Sequence, residues 1–144
     1  MKKGYWLFIL GAIPIASLAI LSTLNQSNLA ETSGNNVDTK LRTRRYKTDL
    51  QNFVAETEKV LPTVSTYGQN WRLITTDADE NSAQIEVEVS VVFFTDDLKI
   101  KANFIEGEVS VDVRSASRIG TKDLGENRRH ILKLLEILDE KFSR

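Results

Sequence analysis

The chain has 144 residues, 41% of them hydrophobic, and is sized for a single domain with one core. Its formal net charge of −1 argues against a nucleic-acid binder that works by broad phosphate neutralisation. With no cysteine and a single histidine, His130, disulfide frameworks, lipid-modified N-terminal cysteines, thiol nucleophiles and Cys- or His-rich metal sites are excluded, and neither metal nor cofactor is expected.

Lys2 and Lys3 precede an uncharged stretch of 21 residues, Gly4 to Leu24. That length suffices for a helix crossing a bilayer, which needs about 20 residues. The alternative is a signal peptide. Its cleavage site wants small residues in an A-x-A-like arrangement, and Asn28-Leu29-Ala30 supplies Asn where a small residue is preferred, so an uncleaved anchor is favoured over residues 1–24. Pro14 is compatible with a membrane helix. The two N-terminal lysines place the N-terminus in the cytoplasm and the domain on the exported side, periplasmic or thylakoid-lumenal, although Lys40, Arg42 and Arg44 weigh against that orientation.

Residues 25–44 read as a flexible tether, because Asn25 to Asp38 is polar and has no hydrophobic period. The basic run Lys40, Arg42, Arg44, Arg45 and Lys47 either touches anionic head groups or forms a solvated domain edge. An α+β domain is expected over 45–144. Its first helix carries Leu50, Phe53, Val54, Val60 and Leu61 on one stripe, is capped by Thr48 or Asp49, and stops at Pro62. After the loop Thr63 to Asn70, Trp71 to Thr75 forms a strand, and Asp77 to Asn81 a turn.

Period-two alternation then marks three strands with one dry and one wet face. Ala83, Ile85, Val87, Val89, Val91 and Phe93 alternate with Gln84, Glu86, Glu88 and Ser90. Leu98, Ile100, Ala102 and Phe104 alternate with Lys99, Lys101 and Asn103. After a turn at Glu106-Gly107, Val109, Val111 and Val113 alternate with Ser110, Asp112 and Arg114. Consecutive hairpins would place opposite charges of the wet face across from one another. A last helix follows Gly125, with Ile131, Leu134, Leu135, Leu138 and Phe142 at helical spacing. The expected fold is a two-layer α+β sandwich, about four antiparallel strands with two helices on one face.

The junction of the last strand and last helix holds more chemistry than a turn requires. Arg114, Ser115, Ser117, Arg118 and Arg129, with the amides of a helix start, form a donor-rich set suited to a phosphate, a carboxylate or an acidic partner. Arg128 and Arg129 also stand at the helix end where positive charge is unfavourable, which points to a nearby anion. Asp96, Asp97 and Asp123 could be that anion, in which case the corner is purely architectural.

Catalytic readings are thinner. Asp96 and Asp97 could act as an acid–base pair on an anionic substrate, but neighbours on a strand face opposite sides. His130 has no recognisable nucleophile partner, so a structural or solvent-facing histidine is expected. No nucleophile elbow, phosphate-binding loop or dinucleotide fingerprint occurs. A hydrophobic ligand between sheet and helices would contact Trp71, Phe93, Phe104 and Leu135; an ordinary filled core is the simpler reading.

The F-T-D-D element Phe94 to Asp97 and the run R-S-A-S-R-I-G-x-x-D-L-G-x-N-R-R, Arg114 to Arg129, resemble the signature of the DUF1499 family, a group of membrane-associated or exported bacterial and plastid proteins. The likeness covers Tyr46 to Phe142 and leans toward cyanobacterial or plastid members. The resemblance implies no reaction, substrate or cofactor. The expected function is therefore a membrane-tethered, exported, non-enzymatic domain. It holds an anionic ligand or acidic protein partner through Arg114, Ser115, Ser117, Arg118 and Arg129, with Asp96 and Asp97 beside them. Its other partner is the membrane, through residues 4–24, and no nucleic acid is involved.

Overall fold

The computed structural model describes residues 28–120 and 123–144; the expected anchor at 4–24 lies outside the described residues. Among the described residues no helix is long and apolar enough to cross a membrane. In chain order the elements are β1 (Leu29–Glu31), β2 (Arg44–Tyr46), α1 (Leu50–Val60), a small hairpin of β3 (Ser65–Thr66) and β4 (Gln69–Asn70), then β5 (Arg72–Ala78), β6 (Ser82–Val91), β7 (Phe94–Ile105), β8 (Glu108–Ser117) and α2 (Glu126–Lys141). Strands β5 to β8 form an antiparallel meander, and β1 and β2 both pair along the free side of β8, making six strands.

The period-two pattern builds the core as expected. Ile85, Val87 and Val89 of β6, Leu98 and Ile100 of β7, and Val109, Val111 and Val113 of β8 are all buried, and their strand neighbours lie on the other, more open face. Leu50 and Phe53 of α1 and Ile131, Leu134, Leu135 and Leu138 of α2 join the same cluster, so both helices cover one face of the sheet. Each such side chain contributes roughly 1.5–3 kcal/mol by leaving water. Helix α1 starts where the Asp49 carboxylate accepts the amide of Asn52 at 2.8 Å, and gives way to a 3-10 turn carrying Pro62.

The sheet exceeds the expected four strands because two short segments were read as tether and basic edge. Leu29–Glu31 pairs with Arg114 to Ala116, and Arg44–Tyr46 pairs with Val109 to Val111. Three residues are too few to display a period, and what holds these strands is backbone pairing plus isolated anchors. Tyr46 is one anchor. Its ring packs with Phe53 and Phe142 at centroid separations of 6.1 and 5.6 Å, and its hydroxyl donates to Asp139 at 2.8 Å. Burial and that carboxylate together push the Tyr46 phenol well above its ordinary value. Thr32 is another: its hydroxyl donates to Asp112 and accepts the amide of Val113. In the basic run, Arg44 pairs with Asp139 and Arg45 with Glu108, so the domain itself supplies their anions.

Alternation fails at the strand ends. Phe93 lies in the β6–β7 turn and is 88% exposed, while Phe104, near the other end of β7, is 37% exposed. Substituting Ile100 by Ala should therefore cost about 2–5 kcal/mol in urea denaturation, whereas Phe93→Ala should change stability by no more than about 0.5 kcal/mol.

Candidate functional site

Strand geometry divides the residues expected to act together. Arg114, Asp97 and the side chain of Arg118 belong to the open face, whereas Asp96, Ser115 and Ser117 share the face covered by the helices. Asp96 and Asp97 consequently project from opposite faces of β7. Arg129, on α2, is exposed and ion-paired with Glu126.

On the open face Arg118 is already matched. Its guanidinium donates to both oxygens of Asp97, at 2.9 and 2.6 Å, and to Glu88 at 2.5 Å. Hydrogen bonds from Arg118 and Arg72 hold the Glu88 carboxyl below its ordinary value, and the two acids raise Arg118 further. Lys99 bonds Glu86 at 2.9 Å, one opposite-charge pair of the kind expected. Arg114, by contrast, faces Lys99 across the strands and forms no ion pair among the described residues. Arg128, whose position suggested an outside anion, donates to Asp38 at 2.8 Å.

On the covered face the two serines serve the fold. Asn127 is fully buried at the start of α2. Its carbonyl accepts the Ser115 hydroxyl at 2.6 Å, and its amide donates to Ser117 Oγ at 2.9 Å and to the backbone carbonyl of Asn28 at 2.8 Å. Asp123 accepts the amides of Gly125 and Asn127 and so caps the helix. The motif thereby joins β8, α2 and the chain just before β1.

A third cluster lies beside this lock. Asp96 and His130 are 2% and 1% exposed. His130 Nδ1 stands 3.3 Å from Asp96 Oδ2, and Nε2 stands 3.5 Å from Glu126 Oε2. Both approaches are within ion-pair reach but lack hydrogen-bond alignment, so Asp96 Oδ2 and both ring nitrogens are buried with no hydrogen bond among the described residues. Trp71 meets the imidazole edge-on at 6.1 Å. Glu126 in turn accepts the Tyr67 hydroxyl at 2.6 Å and pairs with Arg129. Burial opposes its ionisation, yet those two hydrogen bonds prevail and its carboxyl lies below the ordinary value.

Asp96 and Glu126 line a cavity of about 270 Å³ whose apolar lining comes from Val91, Phe94, Ile119 and Leu124; Asp123 and Ser117 also border it. Trp71 and Leu135 belong to the closed core, as the simpler reading of those residues had it, whereas Phe93 and Phe104 are exposed near the ends of their strands. A family model described as "Protein of unknown function (DUF1499)" matches residues 19–138. The chain belongs to the DUF1499 family. No curated protein and no solved structure matches it.

In this DUF1499 domain the buried acid–histidine cluster is the feature least expected. Two signals pointed to it. Asp96 shares strand parity with Leu98 and Ile100, and a carboxylate on a dry face requires a partner. Glu126 and His130 are four apart on a helix, hence neighbours.

Two outcomes test this account. Asn127→Ala leaves the buried Ser115 and the half-buried Ser117 without their partner and should cost about 2–4 kcal/mol, while Arg118→Ala should barely move the thermal midpoint. Glu126 is more acidic folded than unfolded, so its stabilisation is complete above the unfolded pKa and is lost as pH falls through the folded one. Tyr67→Phe removes one of the hydrogen bonds that lower the folded value, so the acid-induced loss of thermal midpoint due to Glu126 should be smaller than in the wild type and be complete at a higher pH.

Proposed function

We propose that the domain is a non-enzymatic binding module whose site is the pocket at the strand–helix corner, and that its ligand joins an apolar body to a hydrogen-bond-donating head, an amine or a hydroxyl. The observation that carries this is Asp96, a buried residue that borders the cavity and whose Oδ2 has no hydrogen bond among the described residues. Buried polar atoms are satisfied in the great majority of cases, and an exception beside a cavity is best explained by a missing donor. Glu126, whose carboxyl lies below its ordinary value, borders the same space, so an anion entering it would meet like charge. The apolar lining provides the remainder of the affinity, as in most small-molecule sites. At about 270 Å³ the cavity sits near the lower edge of the roughly 300–1,000 Å³ typical of such sites. It therefore takes a short chain or one end of a longer one.

The same reading keeps residues 4–24 as a membrane tether, with the N-terminus cytoplasmic and the domain exported. The uncharged length of that segment supports it. A second reading, capture of an anionic ligand or acidic partner, is favoured by the guanidinium of Arg114, which has no ion pair among the described residues. Arg114 borders a shallow depression of about 240 Å³ on the open face, together with Lys99 and Lys101. A hydrolase-type reading rests on Asp96 alone, since Asp97 faces the other way.

Because His130 is the sole histidine, its ring resonances report on the pocket without ambiguity. In the full chain carried in lipid nanodiscs, octylamine or octanol should shift them saturably and octanoate should not. Asp96→Asn should weaken the octylamine response roughly 10- to 100-fold, the value of one charge-assisted hydrogen bond. Equal responses to octanoate, or none to any of the three, would refute the proposal. Binding of a phosphopeptide that is lost in Arg114→Ala would instead support the open-face reading.

A further inference from the structure

One end of the domain carries an apolar cap for which the fold gives no reason. Val92, Phe93, Phe94, Ile119 and Leu124 are 60%, 88%, 50%, 66% and 61% exposed. They come from the β6–β7 turn, the segment after β8 and the turn before α2, and Phe94, Ile119 and Leu124 meet around the pocket. Soluble surfaces seldom gather such residues without use. The backbone is also strained there. Val92 and Leu124 have φ of 39° and 51°, a region that side-chain-bearing residues avoid and that is a marked outlier for a β-branched one. Such conformations persist where the surrounding structure enforces them, often at functional surfaces.

The position of the chain's entry decides what this cap meets. Asn28 is fastened at this same end: its side chain donates to the carbonyl of Gly120 at 2.9 Å, and its own carbonyl accepts the amide of Ser117 at 2.9 Å. Leu24, the last residue of the uncharged stretch, is four residues earlier, a span of at most about 14 Å even when fully extended. If residues 4–24 lie in a bilayer, the cap cannot be far from its surface. Aromatic and aliphatic side chains on short turns are suited to the lipid interface, where an apolar body is buried and the backbone stays near water.

We propose that this end of the domain docks on the bilayer from which its own N-terminal segment leads, with Phe93, Phe94, Ile119 and Leu124 in the lipid interface. The mouth of the pocket then faces the membrane, and its ligand is an amphiphile drawn from the lipid. The docking rests on the membrane-tether reading above and is independent of which head group the pocket accepts.

The absence of cysteine permits a direct test on the full chain in phosphatidylcholine nanodiscs. Spin labels are placed at Phe93→Cys, at Ile119→Cys and, as a reference at the opposite end, at Glu80→Cys. Collision with lipid-soluble oxygen and with a water-soluble nickel complex is then measured. The ratio of oxygen to nickel collisions should shift toward oxygen at both cap positions and toward nickel at Glu80. If the cap labels match Glu80, the cap stands in water and docking is wrong, while the tether survives. Labels screened from both reagents would mean a protein covers the cap, which also overturns the proposal. A chain that the discs fail to retain removes tether and docking together, and the octylamine response of His130 separates either failure from that of the pocket.

Discussion

The strand–helix corner depends on one buried carboxamide. Asn127 has three side-chain hydrogen-bonding capacities in use, to Ser115, Ser117 and the carbonyl of Asn28, and of these partners Ser115 is fully buried. A satisfied network of this kind contributes only modestly in net terms, yet any partner left alone costs the full desolvation of its group. The asymmetry makes the corner all-or-none. It sets where α2 begins relative to the end of β8, and that setting in turn brings Glu126 and His130 to the level of Asp96 on β7.

Placing Asp96 and His130 together in the interior is costly. Taking ionisable groups from water is repaid only when their geometry satisfies the remaining lone pairs and protons, and here an oxygen and both ring nitrogens are left without hydrogen bonds. An apolar trio of similar volume would pack more favourably. The polar cluster therefore subtracts from stability where the domain could have had an ordinary core, and its position beside a cavity connects that deficit with binding. Asn127 and its serines supply rigidity, whereas the acid–histidine cluster supplies unsatisfied chemistry.

Most of the fold was legible because its long strands alternate cleanly and its helices carry broad apolar stripes. What was not legible had too little sequence to carry a signal. Strands β1 and β2 have three residues each, and their attachment to β8 depends on Thr32 and Tyr46, whose partners Asp112 and Asp139 are remote in the chain. At the site, the donor-rich run was recognised, but its members were grouped by nearness along the chain. Alternation sends Arg114 and Ser115 to opposite sides of the sheet, and the same rule separates Asp96 from Asp97. The rule was applied to the two aspartates; carried through to His130, it would have placed an acid on the dry face opposite a helix bearing Glu126 and the only histidine.

The division by β8 also explains why so many charges at this corner are compatible with a compact domain. Arg118 bridges Asp97 and Glu88 on the open face, so that two carboxylates paired across β6 and β7 do not repel. The like-charged neighbours Lys99 and Arg114 have no such bridge, but Lys99 turns to Glu86. The pairs on the wet side are exposed and each of small value, and Arg114 stands outside them. On the covered side Asp96 Oδ2 and both His130 ring nitrogens lack hydrogen bonds among the described residues, at a place where solvent screens least and a bound donor would gain most. A site needing both an apolar cap and a buried acid can be built only where a sheet ends, its covering helix begins and the chain enters, and in this domain those three places coincide.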